Sequence, residues 1–167
     1  MSLPLPVVQA SELENKPAHK RWLIEDLWAD QAVGIIGGEP KCCKSFLALD
    51  FAVAVASGRP CLGHFRVARQ GRCLLYAAED ALHVVRKRLE GIASSSDIAF
   101  NTLDIQVITS PVLRLDSPSD LTKLRQTIET LQPTLLIMDP FVRLHRIDEN
   151  NSGEVAPILA SLRELQR

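Results

Sequence analysis

The sequence predicts an α/β fold in which a mainly parallel sheet lies between two layers of helices. Three observations carry this. Residues 32–37, 72–78 and 134–138 are short apolar runs with the length and composition of strands buried on both faces. Segments of helical period lie between and after them, at 44–57, 82–92 and 118–131, and a last one carries Ile158, Leu159, Leu162 and Leu165. Strands separated by helices are joined by crossovers, and crossovers build parallel sheets.

Each element has its own justification. Pro4, Pro6 and Pro17 and the lack of a sustained period make residues 1–20 an N-terminal arm. Trp22, Leu23, Ile24 and Leu27 form a short element expected to pack under the first strand. The run AVGIIG at 32–37 is that strand, bounded by Gly37 and Gly38. Residues 44–57 are rich in alanine and apolar on nearly all sides, and they stop at Gly58 with Pro60 beyond, which predicts a buried helix.

After the strand at 72–78, Leu82, Val85, Leu89 and Ile92 recur at helical spacing around Arg86, Lys87 and Arg88, with Asp80 at the expected N-cap. Leu103, Ile105 and Val107 alternate with Asp104 and Gln106, the pattern of a strand with one wet face near a sheet edge. Ser117, Pro118 and Asp120 read as cap, first-turn proline and capping-box acid of the next helix, which carries Leu121, Leu124, Ile128 and Leu131 and ends at Pro133. A polar loop follows the strand at 134–138 and runs to about residue 152.

Composition narrows the function. The 167 residues, 46% apolar and 23% charged, suit one compact domain. A net charge of -1 gives no global basic field, so nucleic acid would need a local patch or an assembled ring. No apolar run approaches the roughly 20 residues that span a bilayer, and no signal sequence opens the chain, so a cytoplasmic location is expected. Cys42, Cys43, Cys61 and Cys73 lack CxxC spacing, and His19, His64, His83 and His145 lack an HExxH pattern, so a structural zinc site is not expected.

Residues 38–45, GEPKCCKS, match GxxxxGK[ST] at every fixed position except Cys43. Such a P-loop works because backbone N–H groups and the positive end of the next helix surround a phosphate. Lys44 is expected to reach the β and γ oxygens and the Ser45 hydroxyl to ligate Mg²⁺, with ATP held along Gly37, Gly38, Glu39, Pro40, Lys41, Cys42, Cys43, Lys44, Ser45 and Phe46. The competing reading is a glycine turn that happens to precede a helix. Glycine serves at position 43 where φ must be positive, and a Cβ there costs on the order of 1 kcal/mol. Two readings of the cysteine pair stand: thiols whose oxidation blocks nucleotide, or small residues filling space.

The apolar strand LLIMD ends in Asp139, the form of a Walker B carboxylate that holds Mg²⁺ through water. Glu79, at the end of CLLYAAED, is placed to polarise a water for attack on the γ-phosphate, while Asp80, one residue nearer the helix, caps it. The catalytic expectation is therefore Glu79 with Lys44, and the metal expectation Ser45 with Asp139.

Together GEPKCCKS, LLYAAED and LLIMDP resemble the RecA-like P-loop ATPases of the plasmid replicative helicase group (RepA-like, DnaB-related). The lead-in WLIEDLWADQAVGIIGG and the stretch DPFVRLHRIDENNSGEVAPIL are similar to segments of AAA-family ATPases. The resemblance implies a three-layer P-loop NTPase domain over residues 21–167 and gives Lys44, Ser45, Glu79 and Asp139 the roles assigned above. It implies a homo-oligomeric ring whose channel loop brings Arg143, His145 and Arg146 to single-stranded DNA. Taken alone, basic residues followed by Asp148 and Glu149 are more often a solvated loop than a nucleic-acid contact. The resemblance also implies a further strand, between the strand at 32–37 and that at 134–138. The sequence stops at Arg167, so a C-terminally truncated, partial domain is expected, with a gap in the sheet unless those two strands pair directly.

Three functions follow. The first is Mg-dependent ATP hydrolysis by a motor domain of a DNA-associated ring; the second is a nucleotide-binding module without turnover. The third, a small-molecule kinase, wants an arginine-rich lid where this chain has the acidic DENNSGE loop.

Overall fold

The computed structural model describes residues 5–13, 15, 17, 21–148 and 151–166. Much of the expected arm, with His19, and Glu149 of the polar loop fall outside them. In the described part of the arm, Ala10–Glu12 form a 3-10 turn, and Leu5, Val7, Val8 and Leu13 are exposed.

A parallel sheet is ordered β4-β3-β5, with β3 (Cys73–Ala77) between β4 (Ile105–Val107) and β5 (Leu135–Asp139). Cys73 lies opposite Ile105 on one side and Leu135 on the other, and the β3–β5 register continues to Ala77 and Asp139. The strand with one wet face is an edge strand as expected, its Gln106 exposed between the half-buried Ile105 and Val107.

Helices α1 (Lys44–Ser57) and α2 (Leu82–Ser95) cover one face, where Leu49 and Val53 meet Val85, Leu89 and Ala93 over Leu75. The next residue, Tyr76, faces the opposite way, into a cluster with Leu124 of α3 (Pro118–Leu131), Ile158 of α4 (Ser152–Gln166), Leu115 and Leu144. That reversal is the two-residue period of a strand, and it gives the sheet a helical layer on each side. α1 buries eight of its 14 residues, which is why its sequence is apolar on nearly every side. Phe51, Ala52 and Val55 pack with Leu23, Ile24 and Cys61, each large side chain contributing about 1.5–3 kcal/mol.

The element expected near Trp22 is a hairpin of β1 (Trp22–Ile24) and β2 (Trp28–Ala29), with the Trp28 ring edge-on to Phe51 at 5.8 Å. α1 ends as its sequence predicts: Gly58 takes φ 73° and donates to the Ala54 carbonyl at 2.8 Å. In α3, Ser117 Oγ accepts from Asp120 N at 3.5 Å, with Pro118 in the first turn. The Asp120 carboxylate, however, accepts from Arg114 N at 3.0 Å, so the acid braces the preceding loop.

Two expectations are corrected. Residues 32–37 are not a strand buried on both faces: among the described residues they pair with no strand, and Ile35 is 60% exposed. Residues 33–36 form no ladder with 135–138, so the direct pairing of those two segments is not seen, and among the described residues β5 pairs with β3 alone. An apolar run acquires strand geometry from its neighbours' hydrogen bonds, and here the contacts are with side chains, Ile36 packed on the cluster around Phe51 and Gly34 against the Trp28 ring. The second correction concerns Asp80. Ala81 is the N-cap of α2 and no side chain bonds there, because Asp80 is drawn to Arg88. No helix among the described residues is long and apolar enough to cross a membrane.

Candidate functional site

The glycine-rich loop runs directly into α1, with Cys43 as the N-cap at φ 64° and ψ 22° and Lys41 also left-handed at φ 65°. Cys43 thus adopts the backbone for which the motif uses glycine, at a cost of about 1–2 kcal/mol for a residue with a Cβ. A Cβ at Gly38 would stand 2.8 Å from Cys42 Sγ, so a side chain there would require the Cys42 thiol to turn away.

Lys44 Nζ is folded into the loop and donates to the Gly38 and Glu39 carbonyls at 2.8 and 2.7 Å, with Cys42 Sγ at 3.7 Å. Gly37, Cys42, Cys43, Lys44 and Phe46 line a cavity of about 390 Å³, and a groove of about 710 Å³ continues past Phe46 along His83, Lys87 and Arg88 of α2. Both volumes are of the size that small ligands fill.

The carboxylates lie at the C-terminal end of the sheet. Ala77 and Asp139 are register partners, and Ala78 N donates to the Asp139 carbonyl at 2.7 Å, so the two strand tips leave side by side. Glu79 is exposed there and accepts from Arg143 Nε at 3.2 Å. Asp80 pairs with Arg88, whose guanidinium lies 5.2 Å from the Phe46 ring centroid. Arg88 thereby links the tip of β3 to the first turn of α1, next to Lys44 and Ser45.

The stretch expected to face DNA divides. His145 is only 4% exposed, stacked edge-on against Phe141 at 4.6 Å, and neither ring nitrogen has a hydrogen-bond partner. It is therefore not available to a polymer, because the Leu144–His145 pair turns into the core between α3 and α4. Arg143 and Arg146 are exposed.

Sequence reasoning missed Arg114, which donates to the carbonyls of Arg143 and His145 at 2.9 and 3.0 Å. It missed Arg88 too, although an arginine two turns into a helix that follows an aspartate was a readable pairing.

Cys42 and Cys43 are exposed, while Cys61 and Cys73 are buried, and all four are free. Burial, then the hydrogen bond to Asp50, pushes the Cys61 thiol up; burial, then the charge of Asp104, pushes Cys73 up to about 12. Among the described residues no three His, Cys, Asp or Glu side chains gather as a metal cage. The two donors expected for Mg²⁺, the Ser45 hydroxyl and the Asp139 carboxylate, are oxygens of the kind that ion takes, one or two from protein with phosphate and water completing the shell.

No curated protein matches the chain. The AAA domain family matches residues 2–167, nearly the whole length, so the chain belongs to the AAA domain family, of P-loop ATPase type.

Proposed function

We propose that the chain binds ATP with Mg²⁺ along residues 37–46 and hydrolyses it, with Glu79 as the base toward water. The observation that carries this reading is the Ala77–Asp139 register, which sets Glu79 and Asp139 on adjacent strand tips, with Arg88 tying the β3 tip to the loop's helix. Lys44 would exchange two carbonyl acceptors for phosphate oxygens, and Ser45 and Asp139 would hold the cation. Bound Mg²⁺ supplies charge neutralisation of the phosphates. Glu79 would take the proton of the attacking water, and the loop N–H groups would orient the phosphate chain.

The finer reading is a RecA-like motor of a helicase-related ring, with Arg143 and Arg146 offered to single-stranded DNA; their exposure supports it. A module that binds without turnover is the second reading, favoured by the left-handed Cys43. Hydrolysis assays separate the two readings. ATP turnover abolished in Glu79→Gln, with ATP still bound, supports the enzyme; binding without turnover in the wild type supports the module.

A further inference from the structure

We infer that Arg143 is a positioning residue for Glu79, one that restrains the carboxylate and so sets the basal rate of hydrolysis. This rests on the reading of Glu79 as the base.

Both ends of the contact are fixed by backbone. On the β3 side, the Ala78–Asp139 bond of 2.7 Å holds the strand tip from which Glu79 projects. On the other side, Arg143 closes a 3-10 turn, Phe141–Arg143, by donating its N–H to the Pro140 carbonyl at 3.1 Å. The loop before α3 grips that turn. Arg114 donates to the carbonyls of residues 143 and 145, Leu115 N donates to Leu144 O at 2.6 Å, and Arg146 N donates to Asp116 Oδ2 at 3.2 Å.

Most exposed ion pairs must immobilise two free side chains, which cancels much of their attraction. Here the backbone hydrogen bonds at both ends fix where the two side chains start, so the pair forms across one defined gap, while its cost remains the rotamer freedom of the two side chains. With Arg143 Nε at 3.2 Å, Glu79 Oε1 is turned toward the 141–143 turn, and that oxygen is engaged when a water arrives. Arg143 need touch neither nucleotide nor water: it acts through the direction in which it holds the carboxylate.

The side chains of the pair are 62% and 55% exposed, so the restraint is modest and screened by salt. The test is steady-state ATP hydrolysis by the whole chain as wild type, Arg143→Ala, Arg143→Gln, Arg143→Lys and Glu79→Gln, at low and high salt. Arg143→Ala and Arg143→Gln are expected to raise kcat about two- to five-fold with KM for ATP unchanged, and Arg143→Lys to return it toward wild type. Salt is expected to raise the wild-type kcat toward that of Arg143→Ala while leaving Arg143→Ala itself unmoved. A kcat unchanged or lowered in both neutral variants, or a change confined to KM, overturns the restraint. Absence of wild-type hydrolysis, or full activity in Glu79→Gln, sinks the reading of the site instead, so the two failures are distinguishable.

Discussion

Lys44 Nζ donates to the carbonyl of Gly38, six residues upstream, at 2.8 Å. The side chain that names the motif is thus held inside the loop it serves, with the Glu39 carbonyl as its second acceptor. Two consequences follow. The ammonium is already aimed at the cavity, and its removal takes away both the loop's internal tie and the charge a phosphate would meet. Lys44→Ala is expected to weaken ATP binding by about 1.5–3 kcal/mol, roughly ten- to more than a hundred-fold. Titration with a fluorescent ATP analogue measures it, and affinity within two-fold of wild type would place the phosphates elsewhere.

Cys43 carries the strain of the loop. At φ 64° its Cβ opposes the backbone that the turn requires, and glycine does not meet that opposition. Against this stands the larger entropy that glycine loses on folding. Cys43→Gly is expected to stabilise the chain by about 0.5–1 kcal/mol, with Cys43→Ala, which keeps the Cβ, giving no gain. Urea midpoints compare the three proteins, and equal gains in both variants would show that the thiol rather than the backbone is at issue.

The four thiols fall into two classes. In the folded chain at pH 8, a disulfide reagent is expected to titrate the exposed Cys42 and Cys43 and to leave Cys61 and Cys73 unmodified. MgATP should protect the first pair, because both line the cavity that takes the phosphates. The buried class has a pH signature. Cys73 is held neutral up to about 12 in the fold against an ordinary 9.0, so its contribution is fully present below pH 9 and is lost as pH rises between 9 and 12. The loss approaches about 1.4 kcal/mol per pH unit for one thiol. Cys73→Ala should flatten the fall in urea midpoint between pH 9 and 11, and an unaltered slope would argue against the thiol as its source.

At the base of the sheet, Gly71 faces Thr134: a Cβ added there would lie 2.0 Å from Thr134 Oγ1 and 2.8 Å from its Cβ. A turn of the threonine rotamer moves the hydroxyl but not the Cβ, so the clash persists. Gly71→Ala is expected to cost about 1–3 kcal/mol in thermal or urea unfolding. A variant as stable as wild type would mean that β3 and β5 separate at their starts without penalty.

Much of this molecule was legible because local chemistry and tertiary setting agree. Gly58 ends α1, Ser117 opens α3, and the wet alternation around Gln106 marks an edge, since in each case the residue's own preference is satisfied where it sits. The reading failed where a partner elsewhere decides the outcome. The run at 32–37 has the composition of a buried strand, yet a strand exists only with a neighbour to bond, and among the described residues none lies beside it. Asp80 looked like a cap because caps are local; Arg88, eight residues on, took it. His145 sat among arginines and read as polar surface, but the turn after β5 points it inward. The positions of Lys44, Glu79 and Asp139 relative to their elements were readable from the motifs, whereas the grip of Arg143 on Glu79 spans 64 residues and leaves no local trace.

The most direct test is the rate of ATP hydrolysis by the wild-type chain beside Glu79→Gln, with Mg²⁺, after ATP binding by both has been measured. The account predicts that both bind ATP, that the wild type turns it over, and that Glu79→Gln loses at least about a hundred-fold in kcat, the scale of a missing general base. Hydrolysis undiminished in Glu79→Gln, or no ATP binding by either protein, would contradict it.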